Sequence, residues 1–286
     1  MFVVVRGFNL AMIVVAQYIT AIFIMAPKQS FSGVLLDRSL FALIIASVVS
    51  IASGYIINNF YDSEKDSINR PQQVTVEQIV SQNTKLMLYF VLNILVLIAA
   101  SYVSFRAVMF FSVYIFGIWF YSHKIKKRPL IGNLTSAILT ITPFFAIFLY
   151  YKNFSSLIFV FGFYLFLILS MRELVKDLQN LKGDLLQNYN TIPVIYGEKY
   201  SKLMILILIV CNVSVTVFLL KFYVLERMDY FFYASISLLF TVLLLLQKAQ
   251  SRQQYSRIQI ILKLLVLLGV FSIVLLNPGL ILSKIL

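Results

Sequence analysis

The sequence predicts an all-α protein that crosses a membrane several times. Of its 286 residues, 61% are hydrophobic and only 12% are charged, whereas a typical soluble domain is about 45–50% apolar and about 25% charged. A soluble chain of this length could not bury so much apolar surface. Because a transmembrane helix takes about 20 apolar residues, the chain has room for about nine spans.

Residue counts exclude several other classes of protein. With 10 Gly and 6 Pro, the chain is neither collagen-like nor disordered. The single cysteine, Cys211, excludes a disulfide framework, and the single histidine, His123, excludes a multi-histidine metal site. We interpret the net charge of +13 as a topology signal and as an affinity for anionic lipids and substrates, not for nucleic acid.

Apolar runs predict nine membrane-spanning helices. The first is too long for the apolar region of a signal peptide and lacks a clear cleavage site, so we interpret it as a retained helix. We expect one domain over 1–286, with two weak half-repeats at about 1–121 and 122–247 and a final helix. The spans are predicted over residues 7–26, 39–58, 84–104, 107–121, 131–150, 155–175, 201–221, 230–247 and 260–282.

Lys and Arg are distributed unevenly between the two sides of this arrangement. The segments after the even-numbered spans, with their flanking residues and Arg6, carry 17 of the 24 basic residues, and the other side carries 7. The positive-inside rule then places the N-terminus and these segments in the cytoplasm. With nine spans, the C-terminus lies outside.

Six of the 11 acidic residues fall in two short windows, one after the second span and one after the sixth. The first window reads NNFYDSEKD over 58–66, and the second reads RELVKDLQNLKGD over 172–184. At their spacings, the polar residues of each window lie on one face of a helix. These residues are Asn58, Asp62 and Asp66 in the first window and Glu173, Asp177, Asn180 and Asp184 in the second.

Such stripes of oxygen atoms are typical of a metal–phosphate site. Converging carboxylates repel one another unless a positive charge lies between them. Mg²⁺ prefers one or two carboxylates together with substrate phosphates, and the neighbouring Lys and Arg side chains can contact phosphate oxygens. One acidic helix end is often only a solvated loop, but two equivalent windows at the membrane edge favour a functional site.

The two windows resemble the aspartate-rich motifs of the UbiA superfamily of intramembrane prenyltransferases. NNFYDSEKD, followed by SINRP, resembles the first motif, NxxxDxxxD, and RELVKDLQNLKGD resembles the second. Three further blocks are similar to family segments and stand in the family's order: RGFN at 6–9, YSHKIKKRPLIGN at 121–133, and NTIP at 190–193 with Gly197. Gly7 stands where the family usually has Pro, and Asn180 stands where some members have Asp.

The resemblance implies nine helices around a central cavity that opens to lipid, with the motifs in cytoplasmic caps. The implied reaction is the Mg²⁺-dependent transfer of an isoprenyl group from its diphosphate to an acceptor. The implied catalytic residues are Asn58, Asp62, Asp66, Asp177 and Asp184. The implied metal ligands are Asp62, Asp66, Asp177, Asn180 and Asp184. The implied diphosphate contacts are Asn9, Arg70, Lys126, Arg172 and Lys176.

The acceptor and the class of activity have alternatives. The INRP and YSHKIKKRPLIGN segments are most similar to the digeranylgeranylglyceryl phosphate synthase-like branch, which makes archaeal-type ether lipids from geranylgeranyl diphosphate and geranylgeranylglyceryl phosphate. An aromatic quinone precursor is the alternative acceptor. A transporter of an anionic lipid or metabolite is another class, although the charged stripes stand at helix ends and not in mid-span. A scaffold without a ligand would leave six clustered acids at high cost.

The basic asymmetry predicts the orientation in the membrane. Reporter fusions after Lys127 and after Lys182 should score cytoplasmic, and a fusion at Leu286 should score outside. A cytoplasmic C-terminus would contradict either the number of spans or the orientation.

Overall fold

The computed structural model describes residues 4–69, 71, 74–75 and 80–276. Throughout these residues, all regular secondary structure is helical. Nine helices in this part of the chain are long and apolar enough to cross a membrane. The fold class predicted from the sequence, an all-α polytopic membrane protein, is therefore confirmed.

Ten α-helices have both ends within the described residues, and α2 alone among them belongs to no candidate membrane span. A π-helical turn over Ala21–Met25 continues α1, and 3-10 turns cover Ile125–Lys127, Glu226–Met228 and Ile273–Leu276. The α-helices are α1 Gly7–Thr20, α2 Phe31–Leu35, α3 Arg38–Asn69, α4 Gln82–Val103, α5 Phe105–His123, α6 Ile131–Tyr151, α7 Ser156–Leu186, α8 Ile192–Phe222, α9 Asp229–Lys248 and α10 Arg252–Ser272.

Four of the helices extend beyond their predicted spans by eight residues or more. Helices α3 and α7 continue through both acidic windows to Asn69 and Leu186, and α8 and α10 begin before the predicted starts at 201 and 260. Hydropathy detects the apolar run that fits the membrane, whereas a helix continues into water as long as its polar residues favour it. The last predicted span ends at 282, and its residues beyond 276 lie outside the described residues.

The start of α8 contains a break in the helix. Gly197 has φ of 83° and ψ of 171°, a conformation that only glycine adopts without strain. Pro193 lies in the first turn, where its missing N–H is not needed. The residues that resemble the family's third block therefore form a short, separately oriented turn before the span.

The chain forms two compact units. The first unit contains the residues up to Lys126 together with Thr142–Lys152, and the second contains Lys127–Ile141 together with the residues from Asn153 onward. Helix α6 thus contributes its first half to the second unit and its last half to the first. The prediction of one domain with two half-repeats stays a prediction.

In the first unit, α3 packs along α4 and α5 through small residues. Ser47, Ser50 and Ser53 are buried on α3, and the Ser53 hydroxyl donates to Asn93 Oδ1 at 2.8 Å. At Gly54, an added Cβ would lie 3.0 Å from Ile118 Cγ2 on α5. Small residues allow this close approach of helices in a membrane protein, and the approach positions the end of α3 against the end of α5.

In the second unit, α7 packs against α8 and α10. Tyr164 of α7 is fully buried among aromatic rings, with the Phe232 ring centroid at 5.4 Å. The fully buried Asn212 of α8 donates from Nδ2 to the Tyr164 carbonyl at 2.9 Å. In its first third, α7 is thus joined to α8 by a hydrogen bond and to α9 by aromatic packing.

The close approach at Gly54 predicts a measurable loss of stability. Gly54→Ala should destabilise the protein by about 1–3 kcal/mol, because the new methyl group overpacks the contact with Ile118. Thermal unfolding of the detergent-purified variant measures the effect. Adding Ile118→Ala removes the opposing side chain, so the double variant should lose less than the sum of the two single changes. Additive losses would contradict this account.

Candidate active site

The first acidic motif forms a buried ion pair near the end of α3. Asn58 donates from Nδ2 to Asp62 Oδ2 at 3.1 Å. Lys126 donates to Asn58 Oδ1 at 2.8 Å and forms an ion pair with Asp62 Oδ2. The side chains of Asp62 and Lys126 are each 9% exposed, so water contributes little to solvating either charge. The two charges therefore compensate each other where hydration is reduced.

Aromatic contacts hold the end of α5 beside this motif. The His123 ring stacks on the Trp119 ring of the same helix, with the ring centroids 5.5 Å apart. The Tyr61 ring of α3 lies 5.3 Å from the His123 ring. Helix α5 ends at His123, and the following 3-10 turn carries Lys126. These ring contacts therefore position the end of α5 and, with it, the backbone of the turn that carries Lys126.

Two other predicted residues of the first unit, Asp66 and Asn9, lie on α3 and α1. Asp66 is half-buried, one turn beyond Asp62 on α3. Asn9 is half-buried in the first turn of α1. The residue before that helix, Arg6, has its guanidinium carbon 5.1 Å from the Tyr55 ring centroid, so the start of α1 contacts α3 just before the motif. Arg70 lies outside the described residues.

The second acidic motif occupies the last turns of α7. Asp177 Oδ2 accepts a hydrogen bond from Asn133 Nδ2 at 2.7 Å. Asp184 is fully buried, and its Oδ2 accepts from the Thr191 hydroxyl at 3.2 Å. Lys176, a predicted diphosphate contact, forms an ion pair at 2.6 Å with Glu173, one turn earlier on α7. This ion pair holds the Lys176 side chain beside the motif.

Asn180 lies between these two aspartates and is 4% exposed. Within the described residues, its buried Oδ1 atom has no hydrogen-bond partner. An unsatisfied buried acceptor costs about 1–3 kcal/mol, and such an atom in a native protein calls for a ligand or another explanation. An oxygen of this kind is suited to coordinating a cation.

The segment that follows α7 ties the second motif to the segment before α6. The Tyr189 backbone N–H donates to the Asp184 carbonyl at 2.9 Å, and the Asn190 N–H donates to the Lys127 carbonyl at 3.1 Å. The Lys127 ammonium also lies 5.1 Å from the Tyr189 ring centroid. On the other side of α7, Gln259 of α10 donates to the carbonyl of Arg172. The half-buried Arg172 is therefore fixed through its backbone.

The donor atoms of both motifs fit Mg²⁺, although no acidic cluster suffices alone. Across the described residues, no group of three or more His, Cys, Asp or Glu is arranged to hold a metal. Each motif offers only carboxylate and amide oxygens, the hard ligands that Mg²⁺ prefers, and a protein usually supplies one or two carboxylates while substrate phosphates and waters complete the shell. The residues therefore fit a metal ion that is shared with a phosphorylated substrate.

Two contacts to the second motif were not predicted from the sequence. Asn133 and Thr191 belong to the blocks at 121–133 and 190–193, which resemble family segments, but neither block by itself indicates what its residues contact. Both are neutral hydrogen-bond donors that the chain brings to an aspartate from another element. The available signal was that both residues belong to blocks that resemble family segments.

Comparisons with known proteins show which family the chain is similar to. The family model of the UbiA prenyltransferase family matches residues 14–267. A digeranylgeranylglyceryl phosphate synthase from Methanobrevibacter smithii is 26% identical over 247 residues, which cover 82% of each chain. A solved structure described as digeranylgeranylglyceryl phosphate synthase superposes with a TM-score of 0.72 at 21% identity and 96% coverage of both chains.

A second solved structure carries ligands. It is a UbiA homologue from Archaeoglobus fulgidus bound to GPP and Mg²⁺, and it superposes with a TM-score of 0.69 at 13% identity, covering 96% of this chain and 98% of the homologue. At these identities the structures establish a shared fold, and the family match covers most of the sequence. The chain therefore belongs to the UbiA prenyltransferase family.

Proposed function

We propose that this prenyltransferase uses Mg²⁺ to transfer a geranylgeranyl group from its diphosphate to geranylgeranylglyceryl phosphate. The observation that carries the proposal is the second motif, where a buried carboxylate and a buried amide oxygen stand on one helix face. Among the residues that the structure describes, this amide oxygen has no hydrogen-bond partner. Oxygen atoms in this arrangement favour a metal–phosphate ligand. Family membership favours an enzyme over a transporter or a scaffold.

The acceptor is supported by the branch-specific resemblance and by the relatives. The Methanobrevibacter protein is called a digeranylgeranylglyceryl phosphate synthase, at 26% identity. The INRP and YSHKIKKRPLIGN segments favour the same branch. An aromatic quinone precursor is the alternative acceptor, and the shape of the binding site decides between the two.

We assign metal ligation to the oxygens of each motif, which are those of Asp62 and Asp66 in the first motif and those of Asp177, Asn180 and Asp184 in the second. When bound, Mg²⁺ neutralises the charge of the leaving diphosphate. Asn180 contributes an oxygen without a charge, so it lowers the repulsion within the second motif relative to a third aspartate. The homologue structure with bound Mg²⁺ and GPP supports the ligand class for the fold.

The cations of this chain bind and neutralise the diphosphate. We assign this role to Lys126 and Arg172, with Arg70, Lys176 and Asn9 as further contacts. Lys126 already neutralises Asp62, so its ammonium must be shared between that carboxylate and the diphosphate once both metal and substrate are bound. Because charge on the leaving group grows during bond breaking, these contacts strengthen in the transition state.

The apolar surroundings protect the reacting carbon. Cleavage of the C–O bond leaves an allylic carbocation, and an oxygen such as that of Asn58, together with aromatic faces, stabilises it. Exclusion of water keeps the cation from being hydrolysed before the acceptor attacks. The nine long apolar helices of the described part of the chain make the protein an integral multi-pass membrane protein. We further propose that it lies in the cytoplasmic membrane with both motifs on the cytoplasmic side.

An acceptor panel tests the function directly. Purified protein is incubated with geranylgeranyl diphosphate, Mg²⁺ and either geranylgeranylglyceryl phosphate or an aromatic quinone precursor, and the products are identified by mass spectrometry. We expect a prenylated glyceryl phosphate together with released pyrophosphate. A prenylated aromatic ring would replace the acceptor assignment, and no pyrophosphate with any acceptor would refute prenyl transfer.

Substitution of the motif carboxylates should abolish turnover. Asp62→Asn and Asp177→Asn preserve side-chain shape but remove the charge that binds Mg²⁺, and Asp62→Ala and Asp177→Ala remove the ligand altogether. Pyrophosphate release is the measurement, and normal extraction and gel filtration confirm folding. Asn180→Asp should keep activity and change its Mg²⁺ dependence. Activity retained in both the Asp62 and Asp177 variants would contradict the metal assignment.

Substitution of the two cations should weaken the use of the prenyl diphosphate. Loss of a hydrogen bond to a charged group costs about 1.5–3 kcal/mol, so Lys126→Ala and Arg172→Ala should each lower kcat/KM about tenfold to a hundredfold. Arg172→Lys should rescue only part of the loss, because the two-pronged guanidinium contact is gone.

Lys152→Ala is the matched control for these cations. Lys152 is an exposed residue at the end of α6, on the side with few basic residues, and its loss should leave steady-state kinetics unchanged. If Lys126→Ala and Arg172→Ala behave like this control, the two residues are topology signals only. The diphosphate contacts would then lie with Arg70, Lys176 or Lys182.

A further inference from the structure

Two aspartates of the second motif are each held by a neutral side chain from a different part of the second unit. Asn133, in the first turn of α6, donates to Asp177, and Thr191, immediately before α8, donates to Asp184. The first motif differs, since Asp62 is held by the ammonium of Lys126. A neutral donor orients a carboxylate without cancelling its charge, whereas an ammonium competes with a metal ion for it.

The backbone before α6 places Asn133 in a defined position. Leu130 adopts a left-handed conformation with φ of 58°, and the Gly132 N–H donates to the Arg128 carbonyl at 3.1 Å. The Asn133 side chain that results is 7% exposed, and its Nδ2 atom reaches Asp177 at 2.7 Å. A left-handed residue other than glycine is uncommon and marks a position that the surroundings hold in place.

The Thr191 side chain does not cap the helix that it precedes. It occupies the N-cap position of α8, where a threonine hydroxyl ordinarily accepts a hydrogen bond from a backbone N–H of the first turn. Here the side chain makes no capping bond. Its hydroxyl instead donates to the fully buried Asp184, seven residues earlier. The hydroxyl thus orients the aspartate and does not stabilise the start of the helix.

We infer that Asn133 and Thr191 are positioning residues that set the affinity of the second motif for its divalent metal ion. The inference rests on the proposed function in assigning a metal to this motif. Side chains that orient metal ligands through hydrogen bonds typically change metal affinity about 10-fold to 100-fold when they are removed. Neither residue contacts the substrate in this account, because each acts through an aspartate.

Direct metal binding tests the inference without turnover. The full-length protein in detergent is titrated with Mn²⁺ in the presence of inorganic pyrophosphate, and free Mn²⁺ is followed by electron paramagnetic resonance. Asn133→Ala and Thr191→Val should raise the Mn²⁺ dissociation constant about 10-fold to 100-fold. Thr191→Ser retains the hydroxyl and should restore binding to within a few-fold of the wild type.

Asn212→Ala is the matched control. Asn212 is also a buried asparagine of the second unit, but it donates to the backbone carbonyl of Tyr164 and not to an aspartate. Its loss should lower the melting temperature and leave Mn²⁺ binding unchanged. If Asn133→Ala does not fold, the pair of nearly isosteric changes at Thr191 still separates orientation from stability.

The outcomes distinguish this inference from the proposed reaction. Wild-type Mn²⁺ affinity in Asn133→Ala and Thr191→Val would overturn the positioning role and leave prenyl transfer intact. Weakened Mn²⁺ binding in both variants supports the positioning role even if the acceptor panel yields no prenylated product. Equal losses of Mn²⁺ binding in Thr191→Val and Thr191→Ser would also overturn it, because the hydroxyl is the part of the Thr191 side chain that donates to Asp184.

Discussion

Burial of charged oxygen atoms at the ends of apolar helices is the constraint on which the candidate site depends. A carboxylate removed from water is costly unless hydrogen bonds or an opposite charge replace its hydration. Asp62 and Asp184 are both buried, and each has a partner contributed by another element of its own unit. The positions of α5 and of the turn before α8 are therefore tied to the chemistry of the motifs.

The two motifs meet this constraint in different ways. In the first, the Lys126 ammonium forms an ion pair with Asp62 and donates a hydrogen bond to Asn58, so the charge of Asp62 is neutralised. In the second, amide and hydroxyl groups hold Asp177 and Asp184 without adding a positive charge. The difference has a chemical consequence, because the ammonium at the first motif must be shared with a phosphate or a metal, whereas the donors at the second motif are neutral and do not compete with a metal ion.

The scaffold that carries these groups is built from long, continuous helices. Helices α3 and α7 run through the apolar region and on into the acidic windows without a break. Small residues on α3 bring it close to α4 and α5, and a buried asparagine joins α7 to α8. Motif residues that stand on such helices have little freedom to move relative to their partners, which favours a preorganised site.

The sequence by itself determined the class of the protein, the number of spans and the two acidic faces. These follow from hydropathy and from spacing along one helix, which are local properties of the chain. The ends of α3, α7 and α8, the Lys126 pair with Asp62, and the roles of Asn133 and Thr191 were decided only by the tertiary structure. Asn133 and Asp177 are 44 residues apart in the sequence. A pattern within one segment cannot indicate which distant side chain will donate a hydrogen bond to a carboxylate.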